Sequence, residues 1–72
     1  MEVDMKQSIR LSLDKALERR KMTRYELSQK TGIGYQTIDK YYKNRVVRYD
    51  SYLLLKICDA LSCGIEEIIE IR

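Results

Sequence analysis

The chain has no proline anywhere in its 72 residues, and its three glycines stand at positions 32, 34 and 64. A sandwich or barrel of this length needs many turns, and turns need breakers at short intervals. Their scarcity points to helices, and the places where glycine does occur become the natural boundaries between them. So short a chain forms one domain at most, with a core near the lower limit of independent stability.

Two short helices around Gly32 are the best defined. Thr23-Arg24-Tyr25-Glu26 has the form of a capping box, in which the Thr23 hydroxyl accepts from the Glu26 backbone and the Glu26 carboxylate reaches back to Thr23. The helix it starts runs over 24–31, too short to stand alone, with Leu27 inward. Gly32 follows where a helix favours a left-handed residue. Ile33 is apolar inside a polar turn and reads as a plug between two helices. Gly34 begins a second helix over 35–43, with Ile38 and either Tyr41 or Tyr42 on its buried side. Its other side shows Tyr35, Gln36, Asp39, Lys40 and Lys43.

Around this pair the pattern predicts three more helices. Ser8 offers an N-cap for one over 8–20, directing Ile9, Leu13 and Leu17 inward, with Leu11 as an extra apolar position and Met22 closing the stripe. Residues 44–49 lack a helical period and read as a loop. Asp50 caps a helix over 51–61, where Leu54, Ile57, Cys58 and Leu61 form the cleanest amphipathic stripe in the chain. A last helix over 65–70 is expected to turn Ile65, Ile68 and Ile69 inward, with Glu66 and Glu67 favourably placed in its first turn. The expectation is an all-α, five-helix bundle over 8–70 preceded by an N-terminal arm, 1–7.

Charge narrows the function. The net charge is only +3, yet residues 19–48 carry nine bases against two acids, while 1–18 carry three against four and 49–72 two against five. Positive charge concentrated in one stretch attracts a polyanion, although a solvated helical surface produces charge runs too. Catalysis is not expected. There is no histidine, no glycine-rich phosphate loop, and no nucleophile set beside a base. Cys58 and Cys63 fit neither a redox motif nor a zinc framework and read as buried small hydrophobes. No metal, cofactor or small-molecule ligand is expected. Neither a signal peptide nor an apolar run of membrane-spanning length is present, so a soluble, cytoplasmic protein is expected.

The stretch Met22-Thr-Arg-Tyr-Glu-Leu-Ser-Gln-Lys-Thr-Gly-Ile-Gly-Tyr-Gln-Thr-Ile38 resembles the helix-turn-helix domain of phage repressor and Cro-type (XRE-like) DNA-binding proteins. The downstream run from Leu54 through Ile57, Cys58, Ala60, Leu61 and Cys63 to Ile68 resembles that family's fourth and fifth helices. The resemblance spans about residues 8–70. It implies a lambda-repressor-like bundle from a bacterial or phage regulator of transcription, with helix 35–43 in the DNA major groove.

Roles follow from the resemblance residue by residue. Tyr35, Gln36 and Lys40 fall at base-facing positions, and the Gln36 amide can pair bidentately with adenine. Arg24, Thr37, Lys43, Arg45 and Arg48 fall where the family grips phosphates. Each has a plainer reading: Arg24 as a solvated helix residue, Tyr35 as cover for apolar surface, Thr37 as packing. Tyr42 reads equally as core or as a phosphate contact. Asp39 is awkward near phosphates unless it accepts from cytosine or pairs with a neighbouring cation. Gly34 stands where relatives often carry a side-chain cap, and the recognition helix holds three tyrosines. Family members bind two half-sites as dimers, so a homodimer on a pseudo-palindromic operator is implied, with Ile65, Ile69 and Ile71 as candidate pairing residues. The rival function on the same fold is protein interaction, as an antitoxin or adaptor.

Overall fold

Hydrogen bonds between the two ends of the chain shape the fold as much as its helices do. The computed structural model describes residues 7–72. Its elements run β1 (Ile9–Leu11), α1 (Leu13–Arg19), α2 (Arg24–Thr31), α3 (Tyr35–Tyr42), α4 (Ser51–Leu61), a single 3-10 turn (Ile65–Glu67) and β2 (Ile69–Ile71). The strands pair antiparallel, with Ile9 opposite Ile71, Arg10 opposite Glu70 and Leu11 opposite Ile69. The expected N-terminal arm lies outside the described residues except for Gln7.

Among the described residues four α-helices stand in place of the expected five, and both ends of the bundle differ from expectation. Ser8 caps no helix. Its N–H donates to the Arg72 carbonyl at 2.7 Å, and its own carbonyl accepts from Arg72 at 2.9 Å. Leu11, read as surplus, is only 3% exposed, whereas Ile9, read as inward, is 52% exposed. At the other end Ile65 faces solvent, Ile68 is buried and Ile69 lies in a strand. Both segments alternate, Ser-Ile-Arg-Leu-Ser and Ile-Glu-Ile, which is the two-residue period of a strand. Each is too short to be stable alone. Each becomes a strand because the other satisfies its backbone.

The helices hold to local signals. The capping box is complete: the Glu26 N–H donates to Thr23 Oγ1 at 3.0 Å, and the Thr23 N–H donates to Glu26 Oε1 at 2.9 Å. Gly32 ends α2 in the left-handed region at φ 78° and donates its N–H to the Ser28 carbonyl. That conformation costs glycine little because it has no Cβ. Asp50 caps α4 by accepting from the N–H groups of Tyr52 and Leu53. One core joins every layer: Leu13, Leu17, Leu27, Ile38, Ile57 and Ile68 are all buried within it. Cys58 belongs to this core. Cys63 is only half-buried beside it, contrary to the expectation of burial for both, and both thiols are free. Burial, followed by its neighbour Cys63, pushes the Cys58 thiol up, away from the reactive thiolate form.

Candidate nucleic-acid interface

α2, the turn and α3 are fastened together by side chains at the turn itself. Ile33 is buried in the angle between the helices. The buried Ser28 hydroxyl donates to the Ile33 carbonyl at 2.5 Å, and Thr31 Oγ1 accepts from the Ile33 N–H at 3.1 Å. A polar turn carrying one apolar residue thus has its backbone groups satisfied locally, and the direction of α3 is set at its first residue. Gly34 stands at the N-cap without a side-chain bond. Ile38 and Tyr41 anchor the inner side of α3 in the core. The Tyr41 hydroxyl accepts from the Asp50 N–H at 3.0 Å, tying α3 to the start of α4.

The outer side of α3 faces solvent. Tyr35, Gln36 and Lys40 are exposed there and, with Asp39 and Arg45, line an open groove of about 360 Å³. The three residues expected to face bases thus share one surface, together with one expected to hold a phosphate. Lys43, Arg45 and Arg48 are exposed, and Thr37 is half-buried on the flank of the helix. Neither Thr37 nor Arg48 lines the groove.

Asp39 organises this surface. Its carboxylate meets Arg24 Nη1 at 2.5 Å and Lys43 Nζ at 3.0 Å. Lys43 first, and Arg24 with it, holds the Asp39 carboxyl below the usual carboxylate range. The Arg24 guanidinium also lies over the Tyr42 ring, 4.4 Å from its centre, where the ring quadrupole attracts a cation. Tyr42 therefore packs against the core with one face turned to Arg24. Arg24 is half-buried and engaged, not a solvated side chain. The Asp39–Lys43 spacing is a helical i,i+4 pair visible in the sequence, but the Arg24–Asp39 contact crosses between helices and carries no local signal.

Two further residues escaped sequence reasoning. Arg20, counted among the central bases, belongs to the scaffold. Its Nε donates to the Leu61 carbonyl at 2.8 Å and its Nη1 pairs with Glu67, which also meets Arg19 at 3.6 Å. Arg20 above all holds the Glu67 carboxyl below its ordinary value. Asn44, read as loop, adopts φ 58° just beyond α3. Its Oδ1 accepts from the Leu11 N–H at 2.7 Å and its Nδ2 donates to the Leu11 carbonyl at 2.9 Å. One carboxamide thereby stands in for a neighbouring strand and locks the exit of α3 to β1.

The sequence model of the Cro/C1-type HTH DNA-binding domain matches residues 12–72. This chain belongs to that family. Among solved structures, the crystal structure of the transcriptional regulator VanUg, form II, is similar at 33% identity and a TM-score of 0.72, covering 100% of this chain and 97% of that one. No curated protein matches the chain. The Cro/C1-type family is generally non-enzymatic. Among the described residues no group of acidic or thiol side chains is placed to hold a metal ion, and no helix is long and apolar enough to cross a membrane. In this Cro/C1-type domain the helix-turn-helix is α2 and α3. The cations of its exposed side fall into two groups: Lys40, Arg45 and Arg48 without an ion-pair partner among the described residues, and Arg24 and Lys43 sharing Asp39.

Proposed function

We propose that this Cro/C1-type domain is a small cytoplasmic regulator of transcription, repressor-like in action, that reads double-stranded DNA sequence through α3. Its N-terminal half enters a major groove about 12 Å wide. Tyr35, Gln36 and Lys40 face base edges, with the Gln36 amide pairing to adenine N6 and N7. Arg45, Arg48, Lys43, Thr37 and Arg24 grip the flanking phosphates. The protein acts by occupancy, with no chemical step, and as a homodimer over two half-sites. The observation that carries this reading is the groove shared by Tyr35, Gln36, Lys40 and Arg45 on the free side of α3.

The test is a fluorescence-anisotropy titration against a site selected from a random library, and against random DNA, at several salt concentrations. Gln36→Ala should cost about 1–3 kcal/mol at one base pair and relax selectivity there. Arg24→Ala should weaken all sequences alike and flatten the salt dependence by about one unit of slope. Equal, sequence-independent losses in both variants would refute the division between reading and gripping. Binding without salt dependence would instead favour a protein-binding adaptor.

A further inference from the structure

The chain leaves α4 by a turn that brings its two thiols together. Ser62 stands in the left-handed region at φ 52° and ψ 48°. Its N–H donates to the Asp59 carbonyl at 3.2 Å, and the Cys63 N–H donates to the Cys58 carbonyl at 3.0 Å. One bond nested inside the other is the Schellman ending of a helix, which commonly sets the side chains of the outer two residues against each other. Here both are cysteines. The outer bond of 3.0 Å, with ordinary backbone lengths on either side, holds their α-carbons within about 7 Å. A disulfide spans α-carbons about 4.4–6.8 Å apart. Both side chains also reach one place: Cys58 and Cys63 line the same open groove of about 440 Å³, among Leu54, Leu55 and Ile65.

The two thiols differ in access. Cys58 is 9% exposed at the edge of the core, whereas Cys63 is half-buried in the groove. Burial above all, then the Cys63 thiol beside it and the carboxylates of Glu66 and Glu67, push the Cys58 thiol up. Cys58 therefore stays protonated at neutral pH and is a poor first nucleophile.

We propose that Cys58 and Cys63 form a reversible dithiol–disulfide pair, in which Cys63 meets a small oxidising disulfide in the groove and Cys58 closes the ring.

The Cys63 thiolate attacks one sulfur of the small disulfide RSSR. The Cys63–SR bond forms, the S–S bond of the reagent breaks, and RS− leaves. Cys58 then gives up its proton and attacks the Cys63 sulfur, so that the Cys58–Cys63 bond forms and a second RS− leaves. The two protein thiols lose two electrons, RSSR gains them, and the two thiolates released take up the two protons lost. Excess RSH reverses each step. An uncharged reagent suits the site, because the groove is apolar and the Glu66 carboxylate folds over Gly64 at its edge. In a reducing compartment the pair rests as thiols and closes under oxidation. Five residues apart, the two cysteines match no redox motif in the sequence; the left-handed Ser62 makes them a pair.

The proposal stands apart from the DNA reading. The full chain, at a concentration low enough to disfavour links between chains, is equilibrated with β-mercaptoethanol and its disulfide over a range of ratios. It is then quenched by alkylation and weighed by mass spectrometry. The folded chain should pass from two alkylated thiols to a species lighter by two hydrogens than the reduced chain, with no reagent attached, and excess β-mercaptoethanol should return it. Because the native turn already holds the ring, half-closure should come at a value of [RSH]²/[RSSR] about tenfold or more higher in the folded chain than in concentrated urea. Cys58→Ala should keep the reagent on Cys63 as a stable mixed disulfide, and Cys63→Ala should react about tenfold or more slowly than Cys58→Ala. A parent chain that keeps both thiols, stops at the mixed disulfide or links to a second chain overturns the ring. Equal ratios in the folded chain and in urea overturn the part assigned to the turn. Cys63→Ala reacting as fast as Cys58→Ala overturns the order of attack.

Discussion

Replacing Asn44 by glycine, alanine or aspartate separates two physical contributions that one residue combines. The side chain makes two hydrogen bonds to the backbone of Leu11, at 2.7 and 2.9 Å, and its own backbone lies at φ 58°. Glycine removes both bonds but adopts the left-handed conformation without a Cβ penalty. With about 0.5–1.5 kcal/mol net for each bond, Asn44→Gly should lose about 1–3 kcal/mol. Alanine removes the same bonds but, unlike glycine, keeps a Cβ that crowds the following carbonyl in this region, so it should lie ~1–2 kcal/mol below the glycine variant. Aspartate keeps the acceptor for the Leu11 N–H but sets a carboxylate oxygen against the Leu11 carbonyl, so it should be no more stable than glycine. In a domain of this size each kcal/mol shifts the melting temperature by about 4–8 °C. Urea unfolding followed by circular dichroism gives the three differences directly. A glycine variant as stable as the parent would show that the carboxamide bridge contributes nothing. An alanine variant equal to the glycine one would refute the backbone part of the reasoning.

The paired carboxylates of Asp39 and Glu67 give two more tests. Asp39→Asn removes the one carboxylate that Arg24 and Lys43 share, so repulsion of nearby phosphates falls and affinity for random DNA should rise; an unchanged affinity in titration would show that this carboxylate does not weaken the grip on phosphate. The depressed carboxyls of Glu67 and Asp39 set the acid behaviour. A group whose folded value lies below its unfolded value of about 4 stabilises fully above that range and ceases to stabilise as pH falls through the folded value. Stability should therefore hold at neutral pH and fall in acid. Glu67→Gln should start lower and fall less steeply, and parallel urea-midpoint curves from neutral to acid pH would contradict this.

What could be read in advance was what local chemistry encodes. The Thr23–Glu26 capping box, the left-handed Gly32, the Ile33 plug and the α4 stripe each need only neighbouring residues, and each is found where the pattern places it. The sheet was illegible for the opposite reason. β1 and β2 are three residues each, and neither alternation outweighs a helical reading until the other strand is brought beside it. Ser8 is a plausible helix cap by residue type and a strand residue by virtue of Arg72. The candidate DNA residues were readable as types at helical offsets, so Tyr35, Gln36 and Lys40 fall on one surface. Their electrostatic setting was not, because Arg24 reaches Asp39 across the turn and Arg20 leaves the basic group to hold Leu61 and Glu67.

Asn44 also links the two surfaces on which the functional reading depends. It lies at the end of α3, grips β1, and β1 carries β2, which holds Ile69 and Ile71, two of the candidate pairing residues. The recognition helix and these candidate pairing residues are thus joined through two hydrogen bonds and a short ladder, with no long flexible segment between them. Half-sites about 34–36 Å apart demand that both recognition helices hold a fixed spacing and tilt, and an angular error near the axis grows with distance from it. Loosening the Asn44 bridge should therefore spare the contacts that each copy makes with its own half-site while blurring the spacing between copies. Asn44→Gly should bind a single half-site nearly as the parent does and lose more affinity on a two-half-site operator. Equal losses on both would mean that the bridge serves stability alone and that operator spacing is set elsewhere.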